Sequence, residues 1–236
     1  MKGIAFQTIS ALDHTSPIIV VFTWTSDNRK TGDMPQSWIL MEYVDPVIAW
    51  QRGKDSGICG NCKLRYGEKP PCYVVKGHAP LAIYNAYHKG RYRLVDGDGP
   101  DDLPFEDAIE LINMFPGRFG AYGDPAAAPD IFCRLRSVTG YTHQWDHPIM
   151  DEIGDDMRRQ NMASVETFYE KRKANAKGWR TYRIVTSVSE LDVDEVMCPW
   201  NKDQWRKFQC RDCRLCGGSK IPHKNIAVLP LGKEHH

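Results

Sequence analysis

Short apolar runs and amphipathic segments follow one another along most of the chain. The apolar run at 17–22 (PIIVVF) and the bulky, aromatic stretch at 38–43 (WILMEY) predict β-strands. The clearest predicted helix covers 105–115 (FEDAIELINMF), because its apolar residues fall on one face and two acids occupy its first turn. The chain therefore combines strands and helices.

The same kind of pattern continues to the C-terminus. It predicts further helices at 80–90, 130–136 and 165–177, and further strands at 118–122, 139–145, 162–164, 179–186 and 225–231. Alternating strands and helices are typical of βαβ units, and about six such units would form a partial (β/α) barrel. We expect an α/β fold with an N-terminal strand and loop at 1–37, a partial barrel core at 38–190, and a C-terminal cysteine-rich, metal- or cluster-binding extension with a closing strand at 191–236.

Composition places few limits on function. The 236-residue chain is 42% hydrophobic and 26% charged, and its net charge of +1 gives no global field for nucleic acid or membrane. No apolar run is long enough to span a bilayer, and the N-terminus lacks the features of a signal peptide. We therefore expect a cytoplasmic protein without membrane partners, whose eight cysteines bind metal rather than form disulfides.

Three cysteines lie close together in a loop that follows the second predicted strand. They are Cys59, Cys62 and Cys72, and the loop also contains Gly and Pro. Thiolates gathered in this way hold soft metal ions or iron–sulfur clusters, and three ligands leave one coordination position open for a substrate or cofactor. The alternative is a structural zinc knuckle that His78 or His88 completes.

A second cysteine set lies near the C-terminus. Cys210, Cys213 and Cys216 form a C-x-x-C-x-x-C run, and Cys198 lies upstream, followed by proline. This pattern matches the ferredoxin run that holds a [4Fe–4S] cluster, whereas zinc ribbons usually have two separated C-x-x-C pairs. The spacing favours a cluster, with zinc as the alternative. Five cations surround the set: Arg206, Lys207, Arg211, Arg214 and Lys220. They would offset the charge of a thiolate-bound cluster or face a nucleic-acid backbone.

A tight turn formed by Tyr122, Gly123, Asp124 and Pro125 follows the strand predicted at 118–122. Glycine lets the backbone approach a ligand closely, and proline fixes the exit from the strand. The Asp124 carboxylate could accept hydrogen bonds from a cationic amine. An ordinary Gly-Asp-Pro turn is the alternative.

Other residues are weaker candidates. His143 could be a proton donor near the site or a hydrogen-bonded structural histidine. Trp179, Tyr182 and Arg183 could stack on or pair with a nucleobase-like substrate, or they could belong to the core and a strand face. Cys133 is predicted to be a buried, inert thiol on a helix.

Together these features resemble the radical S-adenosylmethionine superfamily, whose members are full or partial (β/α) barrels. The resemblance implies that Cys59, Cys62 and Cys72 hold a [4Fe–4S] cluster whose open iron binds S-adenosylmethionine. It also implies that the turn at 122–125 takes the place of the family's Gly-Gly-Glu-Pro-like motif for the methionine amine. Ser164, at the end of a later strand, would contact the cofactor by its position.

The resemblance extends to the C-terminus, because many members carry additional clusters there. It also implies a flavodoxin- or ferredoxin-like electron donor as a partner. The family spacing is usually C-x-x-x-C-x-x-C, whereas this chain has C-x-x-C and then a longer gap to Cys72 and Tyr73. In spacing and size the chain is more similar to small radical-SAM-like proteins carried by phages and plasmids.

The leading hypothesis is therefore a cytoplasmic iron–sulfur enzyme that forms a substrate radical by hydrogen abstraction. The cofactor would carry the chemistry, and the protein would position the reactants. The residues leave the substrate open, with a nucleotide or nucleic acid as one candidate. The alternative hypothesis is a zinc-stabilised nucleic-acid-binding or scaffold protein of a phage or plasmid, in which both cysteine sets bind zinc.

Overall fold

Ten β-strands in the described part of the chain form one open sheet. The computed structural model describes residues 3–65, 72–136, 138–201 and 208–229. The strands are Gly3–Ile9 (β1), Pro17–Thr23 (β2), Gln36–Met41 (β3), Arg93–Leu94 (β4), Gly117–Tyr122 (β5), Val138–Thr142 (β6), Met162–Val165 (β7), Thr181–Ile184 (β8), Glu195–Met197 (β9) and Asn225–Val228 (β10). Their order across the sheet is β4-β1-β2-β3-β5-β6-β7-β8-β10-β9, and the sheet does not close on itself.

The sheet is mostly parallel. Among the described strands, only the β1–β2 and β2–β3 pairs are antiparallel, and short connections without helices join them. From β3 to β9 every neighbouring pair is parallel. The carboxyl ends of these strands therefore meet at one edge of the sheet, which is where ligands bind in such folds.

The α-helices lie in the connections between strands. They are Pro46–Gln51 (α1), Ser56–Cys59 (α2), Ala79–His88 (α3), Phe105–Asn113 (α4), Pro129–Phe132 (α5), Met150–Gln160 (α6), Phe168–Ala176 (α7) and Cys210–Cys213 (α8). Short 3₁₀ helices cover Lys63–Arg65, Pro125–Ala127, Val188–Glu190, Pro199–Asn201 and Gly218–Lys220. Thr167 begins α7 with a capping box, in which its hydroxyl accepts from the Glu170 N–H and the Glu170 carboxylate accepts from the Thr167 N–H. None of the described helices has the length and apolar character needed to cross a bilayer.

An aromatic cluster links the antiparallel strands to the parallel part of the sheet. Phe22 packs edge to face against Phe6 and Phe119, with ring centroids 5.9 and 5.8 Å apart, and Phe119 lies 4.9 Å from Phe132. Burying one such side chain stabilises the fold by roughly 1.5–3 kcal/mol. Because these rings come from β1, β2, β5 and α5, the first strands belong to the same core as the parallel strands.

The structure confirms the α/β class and a mostly parallel sheet. Each predicted strand and helix has a counterpart within a few residues, although the strand predicted at 225–231 is seen over Asn225–Val228, and 230–231 lie outside the described residues. Seven of the described helices and strands were not predicted: β1, β4, β9, α1, α2, α6 and α8. In α6 the sequence MDEIGDDMRRQ is dominated by charge, and only Met150, Ile153 and Met157 mark its apolar face.

Candidate functional site

The three cysteines of the first set face one cavity of about 90 Å³ at the carboxyl ends of the parallel strands. Cys59 ends α2 and Cys62 follows it, while Cys72 lies beyond 66–71, which fall outside the described residues. The predicted site residues that line this cavity are Cys59, Cys62, Cys72, Tyr122, Gly123, Asp124, His143 and Ser164. Pro125 does not line it and is buried as the first residue of a 3₁₀ turn.

A buried ion pair holds the cysteine loop in shape. Nε and Nη2 of Arg65 donate to Oδ1 of Asp55 at 3.0 and 2.6 Å, and solvent reaches almost none of either side chain. The remaining Nη1 donates to the carbonyl of Gly60, between Cys59 and Cys62. Removing one partner of such a pair leaves an uncompensated buried charge, which costs about 3–5 kcal/mol. Arg65 and Asp55 therefore fix the backbone that carries two of the thiols.

Gln144, just beyond β6, fastens the same loop to the sheet. Its Nε2 donates to the Cys59 carbonyl at 3.0 Å, and its Oε1 accepts from the Asn61 N–H at 3.4 Å. Gly60 has a φ of 54°, and a Cβ there would lie 2.4 Å from Gln144 Oε1. The backbone angle favours glycine at this position, and a larger residue would also displace the Gln144 amide that holds the loop.

Asp124 is buried just after β5, and hydrogen bonds from the protein occupy most of the acceptor positions of its carboxylate. Oδ1 accepts from the Ala126 N–H at 3.0 Å and from the Thr142 hydroxyl at 2.8 Å, and Oδ2 accepts from the His143 N–H at 2.7 Å. The Asp124 N–H donates to the Ile58 carbonyl at 2.7 Å. Burial raises the pKa of Asp124, and the hydrogen bonds oppose that rise. The carboxylate therefore joins the end of β5 to β6, the backbone N–H adds a contact to the cysteine loop, and about one carboxylate lone pair remains for a bound amine.

A bulge in β5 aims Tyr122 into the cavity. Gln36 and Trp38 of β3 pair with Arg118 and Tyr122, so β5 advances four residues while β3 advances two. Gly120, inside the bulge, has a φ of 65°. The buried hydroxyl of Tyr122 has no hydrogen-bond partner in the described part of the chain. An unpaired buried hydroxyl costs about 1–3 kcal/mol, so a polar ligand atom in the cavity would relieve it.

Gly123 is required by packing within the protein. Its φ is 77°, and a Cβ there would lie 2.6 Å from the Cβ and 2.7 Å from the carbonyl oxygen of Ile39 on β3. The close approach that was predicted toward a ligand is therefore made to β3.

His143 and Glu166 form a pair beside the thiols. Nε2 of His143 lies 3.5 Å from Oε1 of Glu166, and neither buried atom makes a hydrogen bond within the described residues. Burial lowers the pKa of His143, but its contacts with Cys62 and Glu166 outweigh burial and raise that pKa well above its usual value. These contacts favour the protonated imidazole, which is the form that can donate a proton.

A larger cavity of about 340 Å³ adjoins the first one, since Cys62, His143 and Ser164 line both. Its other walls include aromatic rings and charged side chains: Trp145, Tyr169, Lys63, Glu170, Lys173, Asp146 and Glu166. The lysines are paired with acids, Lys63 with Glu170 and Lys173 with Asp146. Because its charges are balanced, this cavity suits a neutral ligand with both donors and acceptors.

The four C-terminal cysteines also meet at one cavity. Cys198 follows β9, Cys210 and Cys213 are the two ends of α8, and Cys216 comes shortly after. The space that they line is about 20 Å³, little more than one water molecule occupies. Burial raises the pKa of the thiols of Cys210, Cys213 and Cys216, to about 12 for Cys216.

The loop before β3 fastens the C-terminal set to the first part of the chain. The Cys210 N–H donates to the Lys30 carbonyl at 2.9 Å. The Gln209 side chain donates to the Arg29 carbonyl at 3.3 Å across a separation of 180 residues. The position of α8 therefore depends on a distant loop that sequence patterns did not connect with it.

Tyr141 separates the two cysteine sites, because its side chain lines both cavities. Its ring packs on Tyr182, with centroids 4.2 Å apart.

Arg118 lies near both cysteine sites. Burial lowers its pKa, but electrostatic interactions with the side chains of Tyr73, Tyr141 and Cys210 outweigh burial and raise that pKa. Nε of Arg118 is buried without a hydrogen-bond partner, and no carboxylate in the described residues forms an ion pair with this side chain. Arg118 is therefore a half-buried cation close to thiols and tyrosines rather than to an acid.

The described residues contain no group of three His, Cys, Asp or Glu side chains that could hold a metal ion as they stand. The thiols of each cysteine set line one cavity but are not arranged as metal ligands. To bind a metal ion or cluster, they would have to move closer together. Neither His78 nor His88 lines the first cavity, and His88 Nε2 instead contacts the Glu42 carbonyl at 2.9 Å. The two histidines named for the zinc-knuckle alternative are therefore not in place, whereas His143 lines the same cavity as the three thiols.

The weaker candidates have mostly structural surroundings. Trp179 is buried in the main core, and Arg183 donates to Glu195 in a buried ion pair. Burial raises the pKa of the Cys133 thiol to about 12, which agrees with an inert cysteine. Arg206 and Lys207, predicted near the second set, lie outside the described residues.

Sequence reasoning missed four side chains that build the site: Asp55, Arg65, Arg118 and Glu166. The residues that these side chains contact are distant in sequence or unusual for the residue type. Local sequence patterns therefore do not predict these contacts. The assembled site consists of two thiol cavities, one ligand-sized cavity beside the first, and a half-buried cation close to residues of both cysteine sites. Comparison of the chain with protein-family models, with curated proteins and with solved structures gives no match.

Proposed function

We propose that this protein is an iron–sulfur enzyme of the radical S-adenosylmethionine type. The observation that carries the proposal is the cavity that Cys59, Cys62 and Cys72 share with Tyr122 and Asp124 at the carboxyl ends of parallel strands. An open, mostly parallel sheet with its site at this edge supports a partial (β/α) barrel as the finer description of the fold.

The first cysteine set would hold a [4Fe–4S] cluster with one iron open to S-adenosylmethionine. Soft thiolates suit such a cluster, and the unpaired hydroxyl of Tyr122 offers a polar contact to a ligand. When bound, this cofactor pair supplies a radical that abstracts hydrogen from the substrate. The remaining lone pair of Asp124 and the side chain of Ser164 would orient S-adenosylmethionine.

The 340 Å³ cavity is our proposed substrate site, because it adjoins the thiol cavity and is large enough for a small molecule. Its balanced charges and its aromatic rings suit a planar, polar molecule such as a nucleobase or nucleoside. The imidazole of His143 would act as a proton donor on that side, with Glu166 orienting it at 3.5 Å.

The second cysteine set would be a closed, structural site. Four thiolates satisfy either a [4Fe–4S] cluster or a zinc ion, and the space of about 20 Å³ between them suits the single ion better. A flavodoxin- or ferredoxin-like protein would supply the electron that reduces the first cluster. Free thiols in both sets favour a reducing compartment, and we propose the cytoplasm.

The test is metal analysis followed by electron paramagnetic resonance. After anaerobic reconstitution the first site should contain about four iron and about four sulfide ions. S-adenosylmethionine should perturb the signal of the reduced protein. Cys72→Ala should abolish that signal, whereas Cys133→Ala, which changes a half-buried thiol outside both sets, should leave it intact.

A second candidate function is a zinc-stabilised module that binds nucleic acid. The small space between the C-terminal thiols and the cations beside them favour this candidate. Colourless protein that contains zinc at both sites, with no spectral response to saturating S-adenosylmethionine, would contradict the enzyme proposal and support the zinc module.

A further inference from the structure

A separate cavity, of about 150 Å³, lies between the N-terminal end of the parallel strands and the loop after α8. Three cations line it: Arg136, Arg214 and Lys220. No Asp or Glu is among its described lining residues, and none forms an ion pair with these three side chains in the described part of the chain. The cavity therefore concentrates positive charge without a protein anion to neutralise it.

The loop that carries two of these cations is held rigidly. Arg180 donates to the carbonyls of Leu215 and Gly218 at 3.0 and 2.9 Å and to the Lys224 carbonyl at 2.5 Å. Gly218 has a φ of 68°, and a Cβ there would lie 2.5 Å from the end of α6. A cation on such a loop is positioned before a ligand arrives, which lowers the entropy lost on binding.

Arg214 is held in a backbone conformation that is costly for its residue type. Its φ and ψ are 52° and 12°, in the left-handed region that favours glycine. Its Nε donates to the Arg211 carbonyl at 2.8 Å, which directs the side chain. Backbone strain at a residue other than glycine points to a use for its side chain.

The other two cations, Lys220 and Arg136, are held next to each other by hydrogen bonds. Nζ of Lys220 donates to the Arg136 carbonyl at 2.6 Å and to Oε1 of Gln160 at 2.5 Å. The Arg136 N–H donates to Oδ1 of Asn113 at 2.7 Å. Burial and the charge of Arg159 lower the pKa of Lys220, so the ammonium lacks a nearby anion that would support it.

We propose that this cavity binds a phosphate group, with the guanidinium groups of Arg136 and Arg214 as its principal donors and Lys220 as a supporting charge. Arginine forks match the tetrahedral oxygens of a phosphate, and the buried side chain of Thr139 lines the same cavity. The phosphate could belong to a free nucleotide or to a nucleic-acid backbone. This inference does not depend on which metal the cysteines hold.

The experiment measures binding to the full, metal-loaded protein without S-adenosylmethionine or reductant. Inorganic phosphate, adenosine monophosphate and a short single-stranded oligonucleotide are titrated calorimetrically at low salt. Arg136→Gln should weaken phosphate binding on the order of tenfold or more, because a charged hydrogen bond is lost. Arg52→Gln, which changes an exposed arginine at the end of α1, is the matched control and should bind normally.

Arg214→Gly separates binding from folding. Glycine relieves the strained backbone, so the melting temperature should stay the same or rise while phosphate affinity falls. If Arg136→Gln and Arg214→Gly bind all three probes as tightly as the parent protein, or if the parent protein binds none of them, the inference is wrong. Unchanged metal content in these variants keeps the result independent of the enzyme proposal.

The probes also identify the source of the phosphate. If the group belongs to a nucleic-acid backbone, the oligonucleotide binds far more tightly than adenosine monophosphate. The slope of log affinity against log salt then falls by about 0.7 in Arg136→Gln, as expected for one lost contact to a single strand. If the group belongs to a nucleotide, adenosine monophosphate binds at least as tightly as the oligonucleotide.

Discussion

Glu170 shows how one carboxylate connects the start of α7 with the cysteine loop. Oε2 accepts from the N–H groups of Glu166 and Thr167 at 3.0 and 3.1 Å, and Oε1 pairs with Lys63, next to Cys62. Burial alone would raise the pKa of Glu170, but these hydrogen bonds outweigh it and lower that pKa to about 2. The ionised carboxylate therefore stabilises the folded state at neutral pH.

Because the pKa of Glu170 is lower in the folded state, its stabilisation is present above the unfolded value of 4.5 and is lost as pH falls toward about 2. Glu170→Gln should lower the free energy of unfolding at pH 7 by about 1–2 kcal/mol, after allowance for the exposure of Lys63. It should also flatten the pH dependence between pH 4.5 and 2. Urea denaturation measures both effects, and Glu110→Gln on the exposed side of α4 is the control. Equal acid sensitivity of Glu170→Gln and the parent protein would contradict this account.

At the residue scale, the sequence predicted several residues that line one cavity, but it did not predict the contacts among them. Asp124 was predicted near the ligand from its place after a strand, and it does line the thiol cavity. Its hydrogen bonds to Thr142 and His143 come from the next strand, and a single sequence does not reveal how two strand ends face each other. The same limit hid the pairing of His143 with Glu166.

At the element scale, the cysteine loop depends on a buried pair more than on helix propensity, since α2 has only four residues. Arg65→Met should lower the free energy of unfolding by about 3–5 kcal/mol, because the Asp55 carboxylate would remain buried without its partner. Equilibrium urea denaturation measures the loss. Arg65→Met combined with Asp55→Leu should recover a large part of it, since no charge is then left unpaired. A loss below about 1 kcal/mol in Arg65→Met would show that water reaches the pair.

Helices and strands with a clear pattern of apolar residues were predictable from the sequence. Those that depend on tertiary contacts were not. β2 and α4 have strong apolar patterns, and their observed bounds agree with prediction. β1 has four consecutive buried residues at its start, Gly3 to Phe6, so it lacks the alternation that identifies a strand. The open sheet differs from a simple chain of βαβ units because β1 and β2 pair in an antiparallel way ahead of β3.

At the scale of the whole molecule, Arg118 connects the two cysteine sites electrostatically. It is a half-buried cation near Cys210 and near Tyr73, which lines the first cavity, and the described residues give it no acidic partner. Both a zinc ion and a cluster carry net negative charge when thiolates bind them, so either would be attracted to this guanidinium.

Arg118→Met should therefore speed the release of metal from both sites to a chelator by about tenfold. The lost attraction is on the order of 1–2 kcal/mol at an effective dielectric constant of about 20. Metal release followed by absorbance measures the effect. Arg172→Met, which removes an exposed cation that packs on Phe168 of α7, is the control. Faster release from one site alone would show that Arg118 serves only that site.

The contact between the loop before β3 and α8 has a consequence for synthesis of the chain. Arg29 leaves the ribosome 180 residues before its partner Gln209. At ~5–20 residues per second, the loop waits about 9–36 s for the segment that covers it. During that interval β1, β2 and β3 can pair with one another, because their contacts are local, whereas the C-terminal cysteines cannot be held in place. The nascent chain thus completes its antiparallel strands first, and α8 docks on them as one of the last events of folding.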